Sequence, residues 1–240
     1  MKRLILCLAM LAMTGCSEKD LRETIEVLNA SIEEVPLSQA EVSAGLKDAL
    51  SKGISRGAAV ASARDGYLGN PKLVIPFPAE LKQVEKALRK IGLGKDVDRF
   101  VRQLNRSAEM AAAKAKPIFI KAITSMTIRD AFEILNGEVD AATRYLVLTT
   151  GPELRKQFRP VVSEKLQQTS ATRYYGDIVS KYNQIPLVKK IDPDLESYAT
   201  DRAIDGLFLL IAKEEANIRA NPRARTTQLL RRVFGSLDED

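Results

Sequence analysis

Any acid–base chemistry of this chain would depend on carboxylates, and Asp205 and Glu215 are the first candidates. The sequence contains no histidine, so the commonest general base and the commonest metal ligand are both missing. Serine–histidine and cysteine–histidine nucleophiles and zinc chemistry are thereby excluded. Carboxylate pairs, serine–lysine pairs, tyrosines and oxygen-ligand metal sites remain, and none has a diagnostic spacing. We therefore expect a non-catalytic protein without a cofactor or bound metal, with a carboxylate-dependent enzyme as the alternative.

The position of Glu215 on its predicted helix indicates burial. It falls between Ile211 and Ile218 on the apolar face, and a buried carboxylate needs a partner. Arg106 or Arg144 from another helix is the expected partner. A carboxylate buried without one would have a raised pKa and would be a candidate site residue.

Charge pairs along the same helix offer a simpler interpretation of both candidates. Arg202 and Asp205 lie three residues apart, and Glu215 and Arg219 lie four apart. Opposite charges at these spacings support a helix or orient a neighbour. Asp205 and Glu215 are therefore candidate buried charges whose role is either structural or chemical.

The stretch from Gly66 to Pro78 is the least helical part of the chain and the main candidate for binding. It contains three prolines and two glycines, which exclude a continuous helix. Alternating apolar residues predict a short extended or β segment near 70–78. Tyr67 and Asn70 are the candidate binding residues, because loops held on a rigid scaffold often carry function. The alternative is that Asn70 bonds backbone within a turn and Tyr67 covers the core.

Positive charge is concentrated near the C-terminus of a chain whose net charge is +6. This cluster could bind anionic lipid head groups, lipopolysaccharide phosphates or an acidic envelope protein. The alternative is a solvated basic face. Nucleic acid is not an expected partner, because no aromatic residues interleave with the arginines to stack bases. The cluster consists of Arg219 together with the candidate binding residues Arg223, Arg225, Arg231 and Arg232.

The N-terminus has the pattern of a secretory signal that ends at a modifiable cysteine. Lys2 and Arg3 precede the apolar run Leu4–Met13, whose ten residues would make about 15 Å of helix, half of the ~30 Å hydrocarbon core. Met13-Thr14-Gly15-Cys16 resembles the lipobox of bacterial lipoproteins. The sequence therefore predicts a signal peptide over 1–15 and acylation of Cys16.

An acylated Cys16 would anchor the chain to a membrane. The only other cysteine, Cys7, lies within the predicted signal peptide, so acylation would remove the one thiol of the mature chain. Ser17 after the cysteine favours the periplasmic face of the outer membrane. We expect residues 16–37 to be a tether and residues 38–236 to be one helical domain.

Helical periodicity and capping signals predict an all-α fold with about nine helices. A helix over 38–62 would carry Gly45, Ala49, Gly53 and Gly57 at intervals of four, a ridge that favours close packing within the chain, or alternatively a homodimer face. Two further helices are predicted over about 81–91 and 97–108, and Asp96 would cap the second. The next two begin at Pro117 and Thr127, and helices over 140–150, 153–168 and 171–182 follow. Asp194 would cap a long helix, and a last helix ends near Phe234.

Six collinear segments resemble a family of proteobacterial lipoproteins called domain of unknown function 4197. The resemblance implies an all-helical lipoprotein body with no assigned activity, so it transfers no catalytic residue. It agrees with a lipid-anchored scaffold or binding protein of the envelope. A third hypothesis, a carrier of an apolar ligand, would need an internal cavity of hundreds of Å³. The segments are Gly45–Leu50, Asp65–Pro71 with Ile75–Pro78, Val84–Leu88, Ala115–Ile118, Asp140–Tyr145 and Ala203–Phe208.

Overall fold

Helices make up nearly all of the regular structure in the computed structural model. The residues it describes are 38–167, 171–184, 186–187, 190–192, 194–225 and 227–235. The predicted signal peptide 1–15, Cys16 and the predicted tether 16–37 lie outside these residues. The all-helical fold predicted from the sequence is confirmed.

Nine α-helices follow one another along the described chain. Short 3₁₀ turns at Ala79–Leu81 and Pro222–Ala224 precede the second and the last of them. None of the described helices is long and apolar enough to cross a membrane. The helices are α1 (Gln39–Ser62), α2 (Lys82–Lys90), α3 (Gly94–Ala112), α4 (Ala115–Ser125), α5 (Ile128–Leu135), α6 (Ala141–Gln167), α7 (Ala171–Tyr182), α8 (Leu195–Ala220) and α9 (Gln228–Gly235).

Local capping signals fix where several helices begin. The Ser38 hydroxyl accepts the Glu41 amide at 3.2 Å, and the Glu41 carboxylate accepts the Ser38 amide at 2.8 Å, which completes a capping box. Thr127 and Asp130 form the same arrangement at α5. Asp194 caps α8 by accepting the Ser197 amide.

Two helix predictions were wrong in their bounds. Helix α3 begins at Gly94, so Asp96 lies in its first turn instead of capping it, where its charge still suits the helix dipole. The segments 140–150 and 153–168 form one helix, α6, despite Pro152 and Pro160. Both prolines are exposed. Water can therefore donate to the helix carbonyls that lose an amide donor at each proline, while the buried face of α6 continues past them.

The four longest helices, α1, α3, α6 and α8, form the core. The small-residue ridge of α1 is covered within the chain: a Cβ on Gly45 would lie 2.8 Å from Val233 of α9, and a Cβ on Gly53 would lie 3.0 Å from Glu214 of α8. This ridge therefore lets two other helices of the same chain approach closely.

Candidate functional site

The loop after α1 is attached to the core by Tyr67. The Tyr67 side chain has 0% relative exposure, and its hydroxyl donates to the Ala203 carbonyl of α8 at 2.5 Å. Burial raises the pKa of Tyr67 well above its ordinary value of 10.0, and the nearby carboxylates of Asp205 and Glu109 raise it further. The structure thus places Tyr67 in the core, the alternative that the sequence left open, and not at a binding surface.

Glu109 of α3 binds the backbone of the same loop. It is 4% exposed, and its Oε1 atom accepts the amides of Tyr67 and Leu68, each at 3.2 Å. Its other oxygen pairs with Arg106 at 2.5 Å, and Arg106 reaches Asp65 at 2.8 Å. The hydrogen-bonded Glu109 carboxylate is the largest cause of the raised pKa of Arg106. This carboxylate therefore fixes the backbone of the loop, a role that the sequence analysis missed.

The strand expected near 70–78 is absent, since no described residue lies in a strand. The side chain of Asn105, on α3, takes the place of a neighbouring strand. Its Oδ1 atom accepts the Ile75 amide at 2.8 Å, and its Nδ2 atom donates to the Ile75 carbonyl at 2.9 Å. One buried amide side chain therefore satisfies both backbone groups of Ile75.

Asn70 turns the loop at its surface. Its side-chain oxygen accepts the Lys72 amide at 3.1 Å, which forms a short Asx turn around Pro71. Asn70 is half-buried, so part of its side chain faces solvent. Its role in binding stays a prediction.

A surface cleft of about 260 Å³ lies where the end of this loop meets the start of α8. The hydroxyl of Tyr198 donates to the Pro76 carbonyl at 3.4 Å, and Arg202 lies 5.7 Å from the centre of the Tyr198 ring. The cleft combines both signs of charge with aromatic surface. Its walls include Pro78, Tyr175, Tyr198, Lys190, Arg202, Asp192, Asp201 and Asp205.

The carboxylates of the cleft all have partners. Asp201 pairs with Arg155 at 2.8 Å, and Asp192 accepts the Asp194 amide at 2.9 Å. Asp205 lies 3.6 Å from Arg202, and its side chain is 67% exposed. The expectation that Asp205 is a buried charge is therefore wrong: it lies on the outer face of α8, at the cleft.

Glu215 lies in the interior, where it caps α6. Its side chain is 4% exposed; one oxygen accepts the Ala142 amide at 2.9 Å, and the other accepts the amide and the hydroxyl of Thr143, each at 2.8 Å. Arg219, one turn later on α8, pairs with it at 3.1 Å. Both carboxylate oxygens are thus used by structural partners.

The interhelical partners proposed for Glu215 were wrong. Arg106 pairs with Asp65 and Glu109, and Arg144 pairs with Asp140, the residue just before α6 begins. Sequence spacing does not show that the N-terminus of α6 supplies two amides to Glu215, because the two segments are more than seventy residues apart.

The C-terminal arginines do not form a single basic surface. Arg219 donates to the Ile134 and Leu135 carbonyls at the end of α5. Arg225 is 4% exposed and donates to the Ile218 and Arg219 carbonyls at the end of α8. These two arginines therefore close helix ends, and the expectation that Arg225 lies on a binding surface is wrong.

The remaining arginines of the cluster lie at or near the surface. Arg223 and Arg231 are exposed, and Arg232 is half-buried and lies 3.9 Å from Glu41. Their roles in binding stay predictions. Within the described chain, no group of three or more aspartate, glutamate, cysteine or histidine residues is placed to hold a metal ion.

Comparison with known protein families gives a match over most of the chain. A family described as "Protein of unknown function (DUF4197)" matches residues 36–235, a range that includes all nine described helices. No curated protein and no solved structure matches the chain. The resemblance drawn from the six sequence segments is thereby confirmed, and the chain belongs to the DUF4197 family.

Proposed function

We propose that this chain is a lipid-anchored, non-catalytic binding protein of the cell envelope, held by an acylated Cys16 at the periplasmic face of the outer membrane. The lipobox-like sequence that ends at Cys16 supports the anchor. The cleft beside Pro78 is the observation that carries the binding function.

The chemistry of the cleft favours a polar partner that carries both signs of charge, such as a segment of an envelope protein. Lys190 and Arg202 offer cations, while Asp192 and Asp205 offer exposed carboxylates. The volume of about 260 Å³ is just below the range of about 300–1,000 Å³ that is usual for ligand sites. The cleft therefore suits one or two side chains of a docked segment better than a large cofactor.

The environment of the carboxylates favours binding over catalysis. A catalytic carboxylate is usually set apart by burial or by a second carboxylate close to it, whereas Asp205 is 67% exposed. Both oxygens of Glu215 cap α6, which leaves Glu215 no free oxygen for a substrate. The enzyme alternative therefore depends on the carboxylates of the cleft, which are Asp192, Asp201 and Asp205.

The carrier alternative finds little support in the interior. A cavity of about 10 Å³ lies beside Glu215 and Leu46, which is room for about one water molecule. An apolar ligand would need a cavity of several hundred Å³.

The anchor is tested by growing cells with a labelled fatty acid. We expect the label to appear on the wild-type chain and to be lost in Cys16→Ala, with the variant moving from the membrane to the soluble fraction. Equal labelling of both chains, or a membrane location that is unaffected, would contradict the anchor.

The cleft is tested by affinity capture of the tethered protein from its native envelope after crosslinking. Asp205→Ala removes a carboxylate of the cleft, and Asp140→Ala is the matched control, since the Asp140 side chain is 48% exposed and is likewise paired to an arginine close to it in sequence. We expect a partner protein that is captured by wild type and by the control and lost with Asp205→Ala. Identical capture by all three chains would contradict binding at the cleft.

A further inference from the structure

The hairpin formed by α2 and α3 ends in an exposed apolar turn. Helix α2 contains no buried residue among its described side chains. At the turn that follows it, Ile91 is 71% exposed and Leu93 is 41% exposed. Two large aliphatic side chains are therefore exposed to water at the turn of this hairpin, and burying them against a partner surface would be favourable.

The turn is an ordered structure. Gly92 has φ = +91°, a conformation that favours glycine. The Leu93 amide donates to the Leu88 carbonyl at 3.0 Å, and the Gly92 amide donates to the Arg89 carbonyl at 3.2 Å, the hydrogen bonds of a Schellman helix end. Because these bonds close α2 and begin the reversal into α3, Ile91 and Leu93 are presented by a defined backbone.

Positive charge predominates in the residues on both sides of the apolar turn. Residues 82–99 contain six basic and three acidic side chains. All three acids pair with arginines: Glu85 and Asp98 with Arg89, and Asp96 with Arg99. The positive surplus of the hairpin therefore resides in its lysines.

The lysines of the hairpin are available to a partner. All four are exposed, and within the described part of the chain no carboxylate lies within 4.0 Å of their ammonium groups. The two nearest the turn in sequence are Lys90 and Lys95, with Lys86 one helical turn before Lys90. The four lysines are Lys82, Lys86, Lys90 and Lys95.

We propose that this hairpin tip docks on an anionic phospholipid surface, with Ile91 and Leu93 entering the boundary between head groups and acyl chains and the lysines binding lipid phosphates. Apolar side chains flanked by lysines match both layers of such a surface, where buried apolar area and attraction to anionic lipids add together. The tip is a second contact region, on other helices than the cleft. The proposal depends on neither the cleft nor acylation of Cys16.

The test places an environment-sensitive fluorophore at the tip of the full-length chain. Cys7→Ser and Cys16→Ser remove both native thiols, and Ile91→Cys then provides the one labelling position. Leu148→Cys in the same background is the matched control, since Leu148 is an apolar residue of α6 with 80% exposure. Each labelled chain is mixed with vesicles of phosphatidylcholine alone or of phosphatidylcholine with phosphatidylglycerol, and the measurement is repeated with brominated lipids that quench on contact.

The proposal predicts that emission from position 91 moves to shorter wavelength and is quenched by brominated lipid, in the anionic vesicles only. Emission from position 148 stays unchanged. Adding Lys86→Gln with Lys90→Gln raises the fraction of phosphatidylglycerol needed for the change, whereas Lys116→Gln with Lys121→Gln, at two exposed lysines of α4, does not. No change at position 91, an equal change in neutral vesicles, or an equal change at position 148 would overturn the proposal.

Discussion

Tyr67 fits so closely against Gly206 that position 206 accepts no larger side chain without rearrangement. A Cβ atom on Gly206 would lie 2.8 Å from Cε1 of the Tyr67 ring, and the Tyr67 hydroxyl bonds the Ala203 carbonyl one turn earlier on α8. The loop after α1 is thereby attached to α8. The end of the same loop, at Pro78, forms a wall of the cleft, so this contact helps to hold the cleft in shape.

Gly206→Ala is expected to destabilise the protein. Alanine would favour the helix by up to about 1 kcal/mol, but overpacking a buried contact costs about 1–3 kcal/mol, and an aromatic ring in the core has little room to move. Gly176→Ala is the matched control, because a Cβ at that helical position meets no described atom within 4 Å beyond its own helix backbone and chain neighbours. Urea unfolding should show a lower free energy of unfolding for the first variant and an equal or higher one for the second. Equal effects would contradict the close contact.

Tyr67 should make stability fall at alkaline pH. Because the pKa of Tyr67 is raised in the folded state, its contribution is fully present below the ordinary tyrosine pKa of 10.0 and is lost as pH rises above it. At one pH unit above that value, the expected loss in the free energy of unfolding is about 1.4 kcal/mol. Urea unfolding at about pH 8 and about pH 11 should show a smaller loss for Tyr67→Phe than for wild type, because phenylalanine has no proton to lose. Parallel losses would show that Tyr67 ionises normally.

Asn105→Ala should loosen the segment around Ile75. The substitution leaves the amide and the carbonyl of Ile75 without their partner, at about 1–3 kcal/mol for each buried group. Hydrogen exchange of the Ile75 amide should accelerate, and the free energy of unfolding should fall. Asn70→Ala is the control: it removes a bond to the exposed Lys72 amide, which water can replace. Slow exchange at Ile75 in the Asn105 variant would contradict this account.

Glu215→Gln should be far more damaging than the same change at its neighbour. It leaves Arg219, whose side chain is 13% exposed, without its counter-charge, at a cost of about 3–5 kcal/mol for a buried pair. Glu214 pairs with Arg56, whose side chain is 55% exposed, and such surface pairs contribute about 0–1 kcal/mol. Thermal unfolding of Glu215→Gln beside Glu214→Gln checks the difference. A fall of similar size in both would show that the Glu215 network contributes little.

Most of the helices could be predicted because their signals are local. The Ser38 and Glu41 capping box, the Thr127 cap and the Asp194 cap each involve residues three positions apart, and spacing in the sequence displays them directly. The helix break predicted between residues 150 and 153, at Pro152, was wrong, because whether a proline breaks a helix depends on which side of it faces water, and tertiary packing decides that.

The candidate site could be predicted only in part because its contacts are long-range. The sequence shows Tyr67 in an irregular stretch, but not the α8 turn, 136 residues later, that receives its hydroxyl. It shows Glu109 among apolar neighbours, a signal of a buried carboxylate, but not the loop amides 41 and 42 residues away that satisfy it. The cleft combines the loop end with the start of α8, so it exists only once the fold has brought the two segments together.

The most direct measurement of the proposed binding function is site-specific photo-crosslinking in living cells. Benzoylphenylalanine would replace Tyr198, in the cleft, or Tyr145, a tyrosine of α6 that is half-buried like Tyr198, so that one aromatic ring replaces another and every charge of the cleft is kept. Binding at the cleft predicts a discrete crosslinked partner from position 198 that position 145 does not produce and that Asp205→Ala diminishes. The same adducts from both positions, or none from position 198 while the protein is folded and abundant, would contradict a binding site at the cleft.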